Sequence, residues 1–268
     1  MLKVLLVTQD DPFYIPIFFK ELFKVDISRK FELLGIIIQP PLGKKSIKKL
    51  IFQMLDFYGL FNFLLLGTKY AIYKLFNTLA LRVFNGKFPG VFSVEHILRK
   101  KDLRIIQIKN INAKESLDYL SGFNPDIIFS IAASQVFKKG ILELPNIGCF
   151  NIHTSKLPKN RGMMPNFWSL YNYDKDAYSA ITIHKMNENL DDGEILLQKD
   201  FKLDPNESLD TLIRRTKKLS AEIFLQAIDL LNNNKIDFIK NDSTMATYNS
   251  FPKKDDVLRF KAKGLKIR

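Results

Sequence analysis

Cysteine is almost missing from the 268 residues: Cys149 stands alone, which excludes a disulfide framework and any Cys-rich zinc site. Histidine is nearly as scarce. His96, His153 and His184 are the only three, and they leave few ways to build a nitrogen-ligated metal centre. After the first apolar run there is no G-x-G-x-x-G and no G-x-x-x-x-G-K-[ST], so a dinucleotide fingerprint and a P-loop are both excluded. Long hydrophobic runs are absent too. Ile51 to Phe84 comes nearest, but Asp56, Lys69, Lys74, Asn77 and Arg82 interrupt it, and a span needs about 20 predominantly apolar residues. The apolar start, Met1 to Val7, is too short for a signal peptide and meets Asp10-Asp11 with no Ala-x-Ala site. A cytoplasmic protein is expected.

What is present is apolar mass and positive charge. Apolar residues make up 46%, with 23 Phe, so a large core is available and intrinsic disorder is excluded. Lys+Arg number 41 against 28 Asp+Glu, a net charge of +13. That excess points to an anionic partner: a nucleic acid, a membrane surface or a phosphorylated small molecule. Charge alone does not choose among them.

The chain alternates. Strand-like apolar runs at 2–8, 31–38, 103–108, 126–133 and 148–152 are separated by helical patterns at 12–24, 44–100, 113–121 and 135–144. Residues 178–186 and 195–201 read as further strands, 208–231 as a long amphipathic helix, and 236–239 as a short last strand. This alternation predicts an α/β fold with a mainly parallel sheet. Such a sheet binds ligands at the carboxyl ends of its strands. Segment 44–100 is unusually aromatic, and the cluster Lys44, Lys45, Lys48 and Lys49 precedes its most apolar part. Its helices are expected to pack on the body, to cover a partner subunit in a homodimer, or to touch a membrane surface.

Chemistry gathers at the end of the fifth strand. Asn151 and His153 are two apart and share one side of the sheet. An amide and an imidazole side by side supply two donors for a developing oxyanion. The loop Asn187 to Glu194 carries Asp191-Asp192, and a carboxylate beside the imidazole can orient it and help move a proton. This is apparatus for acyl transfer without a covalent intermediate. Ser155 as a nucleophile lacks a G-x-S-x-G elbow, and a metal on His153, Asp191 and His184 lacks a ligand spacing such as H-x-x-x-H.

Asn151-Ile152-His153-Thr154-Ser155-Lys156-Leu157-Pro158, then Arg161-Gly162 and Pro165, resembles the formyltransferase signature N-x-H-x-S-L-L-P-x-x-R-G-x-x-P. Thr182-Ile183-His184-Lys185-Met186 with Leu190-Asp191-Asp192-Gly193-Glu194-Ile195-Leu196 resembles that family's second motif. The resemblance implies a Rossmann-like sheet with helices on both faces, a helical aromatic insertion and a short C-terminal extension. It divides the chain into a catalytic domain, 1–205, with its insertion at about 44–100, and a C-terminal helix with a basic tail, 206–268. It implies N10-formyltetrahydrofolate as the formyl donor and an amine as acceptor, with no metal. Asn151, His153 and Asp191 match the family's catalytic residues, while Asp192 fills a variable position. His184 aligns with a position read as structural. Pteridine contacts are implied for the loops holding Ser134, Gln135, Val136 and Phe137, and Asn187 and Leu190. Lys156 and Met164 depart from the signature and, with Arg161 and Gly162, lie on the acceptor side.

Methionyl-tRNA formyltransferases resemble the same stretch but carry a further C-terminal barrel, for which the roughly 37 residues after the long helix are too few. The tail Tyr248 to Phe260 resembles those of glycan-synthesis formyltransferases. A nucleotide-linked amino sugar, for surface polysaccharide such as lipopolysaccharide, is therefore the expected acceptor, its diphosphate met by Arg161, Lys156 or Lys159. Transfer RNA is the second choice, and a non-enzymatic membrane-surface module the third.

Overall fold

The computed structural model describes residues 1–40, 47–84, 89–90 and 93–268, with the side chains of 47–50 excepted. Strand β1 (Lys3–Gln9) leads into helix α1 (Ile15–Leu22), β2 (Glu32–Gln39), α2 (Ile47–Tyr58) and α3 (Leu60–Arg82). Then come α4 (Val94–Lys100), β3 (Ile105–Gln107), α5 (Lys114–Ser121), β4 (Ile127–Ser130), α6 (Lys139–Leu142) and β5 (Gly148–His153). The second half adds β6 (Arg161–Gly162), α7 (Pro165–Tyr171), β7 (Tyr178–Lys185), β8 (Ile195–Lys202), α8 (Leu209–Asn232), β9 (Tyr248–Asn249) and α9 (Lys254–Ala262).

Seven strands form one sheet in the order β3-β2-β1-β4-β5-β7-β8. From β3 to β5 the neighbours are parallel, and β7 and β8 are antiparallel additions at one edge. The order reverses between β1 and β4, so a crevice opens at their carboxyl ends. Both faces are covered, which explains the unbroken apolar runs. Val4, Leu6, Phe129 and Phe150 point to one face, packed under α1, α4 and α8 through Phe18, Phe19, Leu98 and Phe224. Leu5, Val7, Ile128 and Cys149 point to the other, against Leu120, Phe137 and Ile141. A third cluster joins Phe57, Phe167, Leu209, Leu212, Val257 and Phe260, with the Phe167 and Phe260 rings stacked at 4.6 Å.

Three expectations change. Residues 236–239 make only a single bridge, Ile239 to Ile195, and no strand. The helix expected over 135–144 shrinks to α6, because the Ser134 and Gln135 side chains bond neighbouring loops and hold 131–138 irregular. Helices α7 and α9 went unforeseen, each short and each with its apolar face on the third cluster. Lys44 and Lys45 lie outside the described residues, as do the side chains of Lys48 and Lys49. Among the described residues no helix is long and apolar enough to cross a membrane.

Candidate active site

The antiparallel pairing of β7 on β5 sets Asn151 opposite His184 and His153 opposite Thr182. Residues opposite one another on a shared face are in contact range, so a single register brings the first motif's amide to the second motif's imidazole. Asn151 Nδ2 lies 3.2 Å from His184 Nε2 and donates to Asp191 Oδ1 at 3.3 Å. His184 Nδ1 donates to the Lys185 carbonyl at 3.0 Å. That leaves Nε2 as the acceptor for the Asn151 amide in the neutral ring.

Asp191 sits at the middle, in the left-handed conformation with φ 50°. Its Oδ2 accepts the Gly162 N–H at 2.8 Å and stands 3.5 Å from His153 Nδ1, while Oδ1 is 3.4 Å from His184 Nε2. Burial alone would raise this carboxyl. When the rings are protonated, the His153 charge, the hydrogen bond and charge of His184 and the Gly162 N–H outweigh burial and hold it well below the usual carboxylate range. His153 goes the other way. Burial pushes its imidazole below the ordinary value, against the pull of Asp191. Its Nε2 meets the Asn160 carbonyl at 2.9 Å, so Nε2 carries the proton and Nδ1 faces Asp191 as a bare base.

A second layer fixes the turn. Arg161, with no exposed surface, reaches Asp192, donates to Tyr248 Oη at 2.7 Å and to Asn241 Oδ1 at 2.9 Å. Asn241 Nδ2 in turn donates to the Asp191 and Gly193 carbonyls at 2.9 and 3.0 Å. Gly162, at φ 97°, pairs with Asn249 so tightly that a Cβ would fall 2.3 Å from the Asn249 carbonyl oxygen. The tail thus closes on the loop that carries the site.

The Formyl transferase family model matches residues 90–228. The chain belongs to this family. It is 37% identical over 171 residues to a methionyl-tRNA formyltransferase of Thermotoga neapolitana, covering 64% of this chain and 54% of that one. The chain spans about half the length of such curated relatives. A sugar N-formyltransferase from a Shewanella species shares the fold at TM-score 0.57 and 19% identity, covering 97% of this chain and 87% of that one. The formyltransferase PseJ from Anoxybacillus kamchatkensis is 25% identical at TM-score 0.50, over 65% of this chain and 88% of that one. That structure is a complex with UDP-4,6-dideoxy-4-formamido-L-AltNAc and tetrahydrofolate.

With the family established, the other expected residues fall into groups. Asn151, His153 and Asp191 come together at the carboxyl end of β5. Arg161 does not face a ligand: its guanidinium is spent on Asp192, Asn241, Ser243 and Tyr248, so the expected diphosphate contact is corrected to a structural clamp. Lys156 pairs with Asp200 and lines a separate pocket of about 240 Å³ with Lys159, Asn160 and Thr247. Met164 caps α7 and packs on the third cluster, leaving Met163 as the exposed neighbour. Ser155 is fully buried, its hydroxyl donating to the Lys159 carbonyl at 3.0 Å, and no nucleophile remains there.

On the proposed donor side, Ser134 donates to the Gln39 side chain and the Pro40 carbonyl, and Gln135 bridges Ile111 and Lys109. Phe137 is buried, so Val136 is the apolar side chain this loop exposes. Across from it Asn187 holds the Asn189 N–H at 3.0 Å and Leu190 is exposed.

Sequence reasoning missed Lys217. It sits on α8, close enough for its charge to act on His153 and for Asp11 to act on it, and burial pulls its ammonium below the ordinary lysine value. Among the described residues it has no hydrogen-bond partner. A lysine beside buried Thr216 and within one turn of buried Ser220 and Ala221 was the available signal. Asn241 and Tyr248 were missed for want of any motif.

Proposed function

We propose that this chain moves the formyl group of N10-formyltetrahydrofolate to the primary amine of a nucleotide-linked amino sugar. The observation that carries the reading is the meeting of Asn151, His153 and Asp191 at the carboxyl end of β5, with Asp191 ionised between two imidazoles.

The geometry supports a direct transfer. The acceptor amine attacks the formyl carbon, forming the C–N bond and placing negative charge on the formyl oxygen. Asn151 is the donor for that oxyanion, because its Nδ2 contacts at 3.2 and 3.3 Å are long enough to release an N–H. His153 Nε2–H is already held by Asn160. The proton lost by the ammonium of the adduct is taken at His153 Nδ1, where Asp191 stabilises the resulting imidazolium. It then passes to the departing folate nitrogen as the C–N bond to N10 breaks. The loops at 131–137 and 187–190 offer main-chain groups with Val136 and Leu190 exposed beside them, which suits a flat heterocycle.

For the acceptor, Lys217 supplies an amine near His153 that has no hydrogen-bond partner among the described residues, and the chain carries +13. An anionic acceptor is favoured, and PseJ is a relative whose structure holds a UDP-linked formamido sugar. The second reading, the amine of methionyl-tRNA, rests on the 37% identity to the Thermotoga enzyme. Incubating the protein with the folate donor and either a panel of nucleotide amino sugars or methionyl-tRNA distinguishes them. Formylation of a sugar amine is expected, and formylation of methionyl-tRNA alone would replace the first reading by the second.

A further inference from the structure

Helix α3 is apolar on most of its circumference, and much of that apolar surface lies outside the core. At 100° per residue, Tyr73, Asn77 and Ala80 share the inner face. Tyr73 lies against Phe13 at 5.8 Å, Asn77 accepts the Ser93 hydroxyl at 2.7 Å, and Ala80 is fully buried. The outward side holds Phe61, Leu64, Ile72 and Leu75, with Leu65 and Val83 at its flank and Thr68 and Arg82 among them. All six apolar side chains are exposed, Phe61 by 79%, Leu75 by 60% and Val83 by 65%. From Phe61 to Val83 exposed apolar side chains recur over about 33 Å of the helix, with Thr68 and Arg82 between them. Soluble monomers rarely leave such a surface uncovered. The helix also lies outside residues 90–228, where the family model matches.

Charge identifies the cover. Between residues 47 and 84 the sequence has Lys48, Lys49, Lys69, Lys74 and Arg82 against Asp56 alone, a net charge of +4. Lys69 reaches back over the Phe13 and Tyr73 rings, with Nζ 5.9 and 5.5 Å from their centroids. A second copy of this chain would bring another +4 against the first, on a body of +13. An anionic surface is complementary instead. The helix is too polar to cross a bilayer, so it lies flat.

We infer that α3 docks parallel to an anionic lipid bilayer, its exposed apolar side chains from Phe61 to Val83 in the acyl boundary and its lysines at the headgroups. The protein is then peripheral, bound through both apolar burial and charge. Phe13, in the loop after β1, joins α3 to the carboxyl edge of the sheet, so the bound helix brings the cleft's rim near the headgroups.

Vesicle co-sedimentation of the full chain tests this, using phosphatidylcholine vesicles with and without phosphatidylglycerol. About tenfold more protein is expected to pellet with the anionic vesicles, and added salt should weaken binding. The triple variant Phe61→Ser, Leu64→Ser, Leu75→Ser should keep the wild-type melting temperature, since all three face solvent, and stay in the supernatant. Equal pelleting of variant and wild type, or no wild-type binding to anionic vesicles, would overturn the inference. So would a solution dimer, seen by sedimentation velocity, that the triple variant splits.

Discussion

Asp191 and Asp192 are consecutive, yet they face opposite ways: the first meets His153 and His184, the second meets the buried Arg161. The turn therefore separates two tasks that a sequence motif cannot tell apart. Asp191→Asn should lower kcat by about a hundred- to ten-thousand-fold while the fold persists. Asp192→Asn should leave kcat within a few-fold and lower thermal stability instead. Equal kinetic effects from the two variants would contradict this division.

Arg161→Met removes a fully buried cation and leaves Asn241 Oδ1 and Tyr248 Oη without their donor, while Asp192 keeps Ser243 and Asn189. Leaving these acceptors unpaired costs about 2 kcal/mol. Urea titration should show this loss. Pairing it with Asp192→Ala should show strong non-additivity, because the two share one network.

Gly162→Ala meets two obstacles at once, a φ of 97° and the Asn249 carbonyl at 2.3 Å from the new Cβ. The backbone strain alone is worth about 2 kcal/mol. Opening the β6–β9 pair would also withdraw the Gly162 N–H from Asp191, so this variant should lose stability and kcat together. A stable variant with an unchanged rate would show that the N–H is dispensable.

The acid limb of kcat/KM should fall below the ordinary imidazole value of 6.5, because burial depresses His153. The folded state then binds fewer protons than the unfolded chain as pH drops through that region, so stability and activity both decline toward acid. Asp191 adds its own loss lower still, as pH falls below the ordinary carboxylate value of 3.8. Lys217→Met removes a neighbouring cation and should move the acid limb upward. The KM for an anionic acceptor should rise about tenfold, the equivalent of one lost ionic contact.

Much of the sheet was legible because parallel strands buried on both faces leave unbroken apolar runs, as at 3–9 and 127–130. The trio at the site was legible because Asn151 and His153 share a strand and Asp191 belongs to a matching motif. The rest depended on packing. Arg161 reads as a surface cation until the fold surrounds it, and nothing local in Asn241 or Tyr248 announces a clamp. Lys217 is polar on a helix whose apolar pattern is strong, and only the approach of α8 to the sheet's carboxyl edge gives it a role. Helices α7 and α9 are short, and their apolar residues acquire meaning only from each other.

The pairing of β6 with β9 also imposes an order of assembly. As the chain leaves the ribosome, β1 to β5 and both histidines are complete before Asn241, Tyr248 and Asn249 have been synthesised. A nascent sheet can therefore form with its aspartate turn still unfastened. The turn beside the reactive centre gains its Arg161–Asn241 fastening only when the tail arrives.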